Sequence, residues 1–322
     1  MFFLVQMVER LKRLKCFSNK IVITGFSGFV GSSLQAYLKS EFLLESMSVR
    51  FSPNQQFDLN GRAIIHLAGK AHDLKNVANP VEYYEANFEL TKQLFDSFLA
   101  SDTAVFIFMS TVKAVADEAL GVLTEDVIAN PRTHYGIAKR QAESYILSKK
   151  IPLGKRVYIL RPCMIHGAGN KGNLNLLYKL VSKGFPWPLG DFKNQRSFLS
   201  IENLCFVIKE LLENDKIPSG IYNVADNQPV STNELIQIIG QGLGRKNKIL
   251  NIPSSWINSI AILGNYLHLP LNSERLQKLT ENYVVSNDKI VVAIGKPLPV
   301  TVKEGLLRTF ESFEIKKSRD IS

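Results

Sequence analysis

From Lys20 onward, short apolar runs alternate with longer amphipathic stretches, the pattern of strands feeding helices in βαβ units. Ile21-Val22-Ile23 predicts a buried strand, followed by a Gly-rich turn and a helix through about Lys39. Ser48–Phe51 predicts a second strand, and Ala63–Leu67 a further one that ends at a glycine. A long helix over about Val81–Leu99 precedes the strand Val105–Met109. A helix over about Tyr135–Ser148 leads to a strand at Val157–Leu160, and Ile221–Val224 reads as the last strand of the sheet. Phe51–Arg62 is too short for a crossover with its own helix, so a trimmed third strand is expected there. The fold class expected is α/β, a doubly wound parallel sheet.

Beyond Pro162 the alternation loosens, and Gly and Pro gather in Gly167-Ala168-Gly169, Pro186-Trp187-Pro188 and Leu269-Pro270. This predicts a smaller C-terminal lobe over the carboxyl edge of the sheet, where α/β folds bind ligands. The chain thus divides into an extension (1–19), a sheet domain (20–165) and a lobe (166–322), with 201–243 returning to the sheet. In the extension, Leu4, Met7, Val8, Leu11 and Leu14 recur at helical spacing among Arg10, Lys12, Arg13 and Lys15. Two readings stay open for it: an interfacial helix on an anionic membrane, or a start upstream of the native one. It lacks the order of a signal peptide.

Composition narrows the function classes. At 322 residues, 45% hydrophobic and 21% charged, the chain has material for an ordinary globular core. A net charge of +10 favours anionic partners such as nucleotide diphosphates or membranes. The basic residues are scattered and no nucleic-acid motif appears, so no nucleic-acid partner is expected. Cys16, Cys163 and Cys205 form no C-x-x-C, which argues against a disulfide framework and fits a reducing compartment. The five histidines show no metal-ligand spacing, so no metal site is expected. No apolar run reaches the ~20 residues of a membrane helix, although Trp256–Leu271 is apolar enough to touch a membrane surface.

Two motifs carry chemistry. Thr24-Gly25-Phe26-Ser27-Gly28-Phe29-Val30-Gly31 follows the first strand and opens a helix. Glycines there let a pyrophosphate approach the backbone, and the helix N-terminus offers unpaired N–H groups. Tyr135-Gly136-Ile137-Ala138-Lys139 sets a phenol and an ammonium four apart, on one helical face. A Tyr pKa of ~10 is too high for a base at neutral pH, and a neighbouring cation would lower it.

The T-G-x-x-G-x-x-G spacing resembles the extended short-chain dehydrogenase/reductase superfamily. The remaining motifs resemble its NAD-dependent nucleotide-sugar epimerase/dehydratase branch, the group of UDP-glucose 4-epimerase, over about residues 20–313. The resemblance implies a Rossmann-type domain binding NAD or NADP through Gly25, Phe26, Ser27, Gly28, Phe29, Val30 and Gly31. His66-Leu67-Ala68-Gly69 looks like the family's strand end beside the adenine and pyrophosphate, placing Leu67, Ala68 and Gly69 at the cofactor. Asp58-Leu59 resembles the pair that contacts adenine, and Asn87 a helical Asn of the family. Arg161-Pro162 looks like the R-P that precedes the substrate segment, with Pro162 beside the cofactor. Arg50, near the end of strand two, would face a 2′-phosphate and hint at NADP.

For catalysis, the resemblance implies Thr111 as the hydroxyl partner of Tyr135 and Lys139, with Ser110 as its understudy and substrate neighbour. Asn173 and Leu174 fall in a loop that lies along the nucleotide diphosphate. Arg196, in Gln195-Arg196-Ser197, matches a phosphate-gripping position, and Arg275 is a second phosphate candidate. Departures are Lys113-Ala114-Val115 where Val-Tyr-Gly often stands, and Lys296 in place of a late Trp. The implied function is hydride transfer at C4 of a UDP-hexose or UDP-N-acetylhexosamine for surface polysaccharides, in a cytoplasmic homodimer with a UDP-sugar as partner. A 4-keto-6-deoxy-sugar reductase using NADPH, a lipid-linked sugar 4-epimerase and a non-catalytic NAD(P) sensor are the alternatives.

Overall fold

The computed structural model describes residues 19–70, 79–119, 121–170, 173–267 and 272–319. The amphipathic stretch over residues 1–18 lies outside the described residues, as do Cys16, His72, Lys171, Gly172 and His268. The strands, in chain order, are β1 (Lys20–Thr24), β2 (Leu43–Met47), β3 (Ala63–His66), β4 (Val105–Met109), β5 (Val122–Leu123), β6 (Arg156–Pro162), β7 (Met164–His166), β8 (Phe198–Ser200), β9 (Gly220–Val224) and β10 (Val284–Val285). Six of them form one sheet in the order β2-β1-β3-β4-β6-β9, every pair parallel. Two small parallel pairs, β5–β10 and β7–β8, lie apart from it.

Strand periodicity explains the layers. Ile21 and Ile23 of β1, with Val105, Ile107 and Met109 of β4, face one side, where α1 (Phe29–Leu38) and α6 (Ile201–Glu213) bury Leu34, Leu38, Leu204 and Ile208. Val22, Phe106 and Phe108 face the other, against α3 (Leu90–Ala100) and α4 (His134–Ser148). Burial on both faces makes these strands apolar throughout, the reason they read as continuous runs. The expected doubly wound α/β class is borne out.

Two expectations are corrected. β2 occupies Leu43–Met47 rather than Ser48–Phe51, because its partner β1 ends where Thr24 pairs with Met47, and residues beyond have no strand to join. No third strand forms over residues 51–62. That segment must return from the carboxyl edge to the start of β3, and it does so as irregular chain along α3. Gln93 Nε2 donates to Ser52 O and Phe57 N to Ser97 Oγ on the way.

The long helix also differs from a plain one. It runs as α2 (Pro80–Tyr84), a π turn over Glu85–Glu89 and then α3. A second core gathers α5 (Asn173–Ser182), α7 (Thr232–Gly242), α8 (Ser254–Leu267) and α11 (Val302–Arg319) around Tyr178, Ile236, Ile257 and Phe310. α9 (Ser273–Thr280) and α10 (Asp288–Ile294) are the remaining α-helices among the described residues. Among the described residues, no helix is long and apolar enough to cross a membrane.

Candidate active site

Since β1 lies between β2 and β3, the chain moves to opposite sides of β1 on leaving β1 and then β2. The crevice at the carboxyl ends of β1 and β3 is therefore a topological switch point, the place where such sheets bind ligands. Two turns meet there. Gly25 takes φ 69°, and a Cβ on it would lie 2.8 Å from Ala68 N, so only glycine allows this turn and this approach. A Cβ on Gly31 would come within 2.4 Å of Gly25 O, so the third glycine lets α1 press onto the turn. α1 starts at Phe29 with no side-chain cap and no acidic residue in its first turn, while Ser27 and Gly28 are exposed in front of it. The first N–H groups of a helix lack intrahelical acceptors and carry partial positive charge. The turn therefore fits the pyrophosphate of a dinucleotide, with Phe26 to Val30 along it.

A buried chain of hydrogen bonds holds the second turn. Ala68 N donates to Thr24 Oγ1 at 3.1 Å, and Thr24 Oγ1 lies 2.7 Å from His66 Nδ1. Thr91 Oγ1 donates to Asn87 O at 2.8 Å, so it must accept from His66 Nε2, 3.0 Å away. That network assigns the proton to Nε2 and leaves Nδ1 to accept from Thr24. Burial and the nearby Lys139 push the His66 pKa down to about 3, which keeps the ring neutral. Asn87, fully buried in the π turn, accepts from Lys70 N and donates to Lys70 O and Tyr83 O. Its amide is spent on fixing the chain just past Gly69, so it shapes the crevice through the backbone. A π turn at such a place is a common functional device.

Tyr135 and Lys139 lie in the first two turns of α4, whose N-cap Thr133 accepts from Gly136 N. The Tyr135 phenol is half-buried and faces the Thr111 side chain, which stands just past β4. Burial pushes Tyr135 up to about 12, and the Thr111 hydroxyl pulls the other way. Lys139 is buried, donates from Nζ to Met109 O at 2.8 Å and sits 4.7 Å over the Phe108 ring. Burial pulls its pKa down to about 7, opposed by Glu143. The protein's own groups thus favour a protonated phenol beside an amine poised near neutrality. The cation expected to lower the Tyr135 pKa is held at the Met109 carbonyl. A substrate oxygen seated between Thr111 and Tyr135 would receive one hydrogen bond and exchange one proton, the minimum that a carbonyl–alcohol interconversion requires.

Residues 21–225 match the NAD dependent epimerase/dehydratase family. The chain belongs to that family. A UDP-glucose 4-epimerase of Vibrio cholerae is 30% identical, aligned over 92% of this chain and 95% of that protein. An undecaprenol-linked N-acetylglucosamine 4-epimerase of Escherichia coli O157:H7 is 25% identical, over 95% of this chain and 98% of its own length. Among solved structures, RMD from Pseudomonas aeruginosa complexed with NADPH superposes with a TM-score of 0.70 over 93% of this chain and 99% of its own, at 22% identity. As a member of the epimerase/dehydratase family the chain is an NAD(P)-dependent enzyme, and NAD(P), when bound over the glycine turn, supplies reversible hydride transfer.

In this family member, the glycine turn, Leu67, Ala68, Gly69, Asn87, Thr111, Tyr135, Lys139 and Pro162 all gather at the carboxyl edge of the sheet. Arg50 leaves the same edge three residues past the Thr24–Met47 pair. Other sequence expectations are not brought there. Leu59 O accepts from Thr103, and Gly61 packs on Lys20 O at the opposite end of β1, so Asp58 and Leu59 lie toward the amino edge. The shortened segment after β2, which forms no third strand, carries them down. Ser110 is 2% exposed and donates to Glu143 Oε1 at 2.5 Å, turned inward from the cleft. Leu174 is core, and the side chain of Asn173 lies outside the described residues. Arg196 does approach the edge, with Cys163 just past β6 and Lys113 just past Thr111 near it; its Nη1 donates to Lys278 O at 2.5 Å and its Nη2 pairs with Glu281, which hold the guanidinium under α9. Arg275 is exposed on α9 itself.

Glu143 is the residue the sequence reading missed. It is buried, takes two bonds from Arg161 (2.9 and 2.6 Å) and one from Ser110, and stands one turn beyond Lys139. The signal was present, since Tyr135, Lys139 and Glu143 recur every four residues on one helical face.

Proposed function

We propose that this enzyme inverts C4 of a UDP-hexose or UDP-N-acetylhexosamine in the synthesis of surface-polysaccharide precursors. The observation that carries the reading is Tyr135 facing the Thr111 hydroxyl with Lys139 one turn along α4, set at the switch-point crevice. Tyr135 takes the proton of the C4 hydroxyl as that carbon is oxidised and returns it to the ketone oxygen. Thr111 holds that oxygen during each transfer, and between the two the keto-sugar turns so that hydride returns to the opposite face of C4. The full-length likeness to a UDP-glucose 4-epimerase supports the substrate class.

A second reading, reduction of a UDP-4-keto-6-deoxy-sugar with NADPH, draws on Arg50 at the rim of the crevice, where a guanidinium suits a 2′-phosphate. The E. coli relative supports the same C4 chemistry on a lipid-linked sugar as a further alternative. Incubating the purified enzyme with UDP-glucose, UDP-N-acetylglucosamine and UDP-4-keto-6-deoxy-N-acetylglucosamine, with and without NADPH, and identifying products by NMR separates these readings. C4 epimers formed without added NADPH support inversion, whereas turnover of the keto-sugar alone, strictly dependent on NADPH, overturns it.

A further inference from the structure

α8, Ser-Ser-Trp-Ile-Asn-Ser-Ile-Ala-Ile-Leu-Gly-Asn-Tyr-Leu, has no charged side chain. Its inner stripe of Ile257, Ala261 and Gly264 is buried, as helical spacing dictates. The flank beside that stripe is apolar too, while Ser255, Asn258 and Ser259 are exposed elsewhere around the helix. Trp256, Ile260, Leu263 and Leu267 follow at spacings of four, three and four, with Tyr266 beside them, and their exposures run from 48% to 79%. A helix on a water-facing surface normally carries polar residues on that side. A continuous exposed apolar stripe of this kind marks a surface that meets something apolar.

The setting of the stripe says what it meets. α8 packs on α9, tied by the Asn265–Ser273 hydrogen bonds, and α9 receives Arg196 at the Lys278 carbonyl. The basic side chains Arg245, Lys246 and Lys248 just before α8 and Arg275 just after it are exposed, while Lys278 pairs with Glu274, the single carboxylate between residues 245 and 280, and Asp191 accepts from Ser254 N at the start of α8. A buried protein partner would leave such a basic rim to be matched by acidic side chains one by one. A bilayer bearing anionic headgroups matches it as a plane, with the apolar stripe among the outer acyl carbons and Trp256 at the headgroup boundary. The overall charge of +10 draws the chain to the same surface.

We propose that α8 docks the enzyme on the interfacial layer of an anionic bilayer through the Trp256–Leu267 stripe. The helix lies in the plane of the interface and the catalytic cleft stays in water. Docking is independent of which sugar the enzyme turns over.

The chain contains two tryptophans, Trp187 in the core at 5% exposure and Trp256 on the stripe at 70%, so a change in emission on adding vesicles reports on α8. The experiment mixes the full chain with phosphatidylcholine vesicles, with and without phosphatidylglycerol, using acyl-brominated lipids as quenchers. The anionic vesicles are expected to shift Trp256 emission to the blue and quench it, with partitioning at least about tenfold weaker on phosphatidylcholine alone and in high salt. Ile260→Asn/Leu263→Asn should weaken partitioning by a similar factor, as should Lys246→Glu/Lys248→Glu, while turnover of a water-soluble nucleotide sugar stays at the parent's level. Emission unchanged by anionic vesicles overturns the proposal. So does vesicle binding without quenching, which would place the contact elsewhere on the chain. So does a blue-shifted, concentration-dependent Trp256 signal in plain buffer with a doubled mass in sedimentation, which would show a second copy on the stripe. The parent's own quenching decides the matter even where a variant folds poorly.

Discussion

Replacing Lys139 with Met should make the protein more stable while making it inactive, and the size of the gain should depend on pH. Burial lowers the lysine from its ordinary 10.5 to about 7 in the folded chain. The unfolded chain therefore holds the proton up to pH 10.5 and the folded chain only to about 7. Between those values the unfolded state binds more protons, so stability rises with pH; below 7 both states are charged and the cost is constant. At ~1.4 kcal/mol per pH unit, the full cost of the buried charge is on the order of 5 kcal/mol at and below pH 7.

Methionine keeps a straight apolar stem over Phe108 but gives up the hydrogen bond to Met109 O, a loss of about 1–3 kcal/mol. Glu143 is not orphaned, because Arg161 and Ser110 still hold it. The net expectation at pH 7 is a gain of about 2 kcal/mol, or a few degrees in Tm, which at ~1.4 kcal/mol per pH unit is gone by pH ~8.5 and turns into a loss above it. Thermal melts of parent and variant at pH steps from 6 to 9.5 read this directly. A variant that melts at or below the parent at pH 7, or a difference that does not change with pH, refutes the reasoning. The coupling of lost activity to gained stability is the mark of a charge kept for function.

Glu143→Gln should destabilise by about 3–5 kcal/mol, since it leaves the Arg161 guanidinium buried without its counter-charge, and denaturant melts check it. Gly31→Ala gains helix propensity yet forces a Cβ to within 2.4 Å of Gly25 O, so NAD(P) affinity should fall, at least about tenfold for a loss of ~1.4 kcal/mol, in a fluorescence titration. Arg196→Ala should raise KM for the nucleotide sugar by the loss of a charge-assisted contact, about 1.5–3 kcal/mol, with kcat falling less. An unchanged KM removes Arg196 from the substrate site.

The central sheet was legible because buried parallel strands are apolar on both faces and stand out as runs, as at Ile21–Ile23 and Val105–Met109. β2 was misplaced because an edge strand buries little, and Leu-Leu-Glu-Ser-Met carries no apolar run to mark it. Asp58 and Leu59 match a motif in letters alone: the chain between β2 and β3 forms no strand, and the two residues fall at the other end of the sheet. The Tyr135–Lys139 spacing was legible because a helix turns spacing into proximity. The inward turn of Ser110 was not, because it depends on Glu143 and Arg161 meeting from two other elements. Leu174 illustrates a further limit, since a leucine beside a ligand and a leucine in a core look alike in sequence.

Steady-state turnover of Tyr135→Phe tests the central claim most directly. The phenylalanine keeps the ring and its packing and removes only the hydroxyl that faces Thr111, so circular dichroism and cofactor affinity should match the parent. Loss of the proton carrier should lower kcat by about 10²–10⁴-fold, the usual contribution of a positioned acid–base group. A folded, cofactor-binding variant that turns over within about threefold of the parent would contradict that, and the proton would have to travel by another residue.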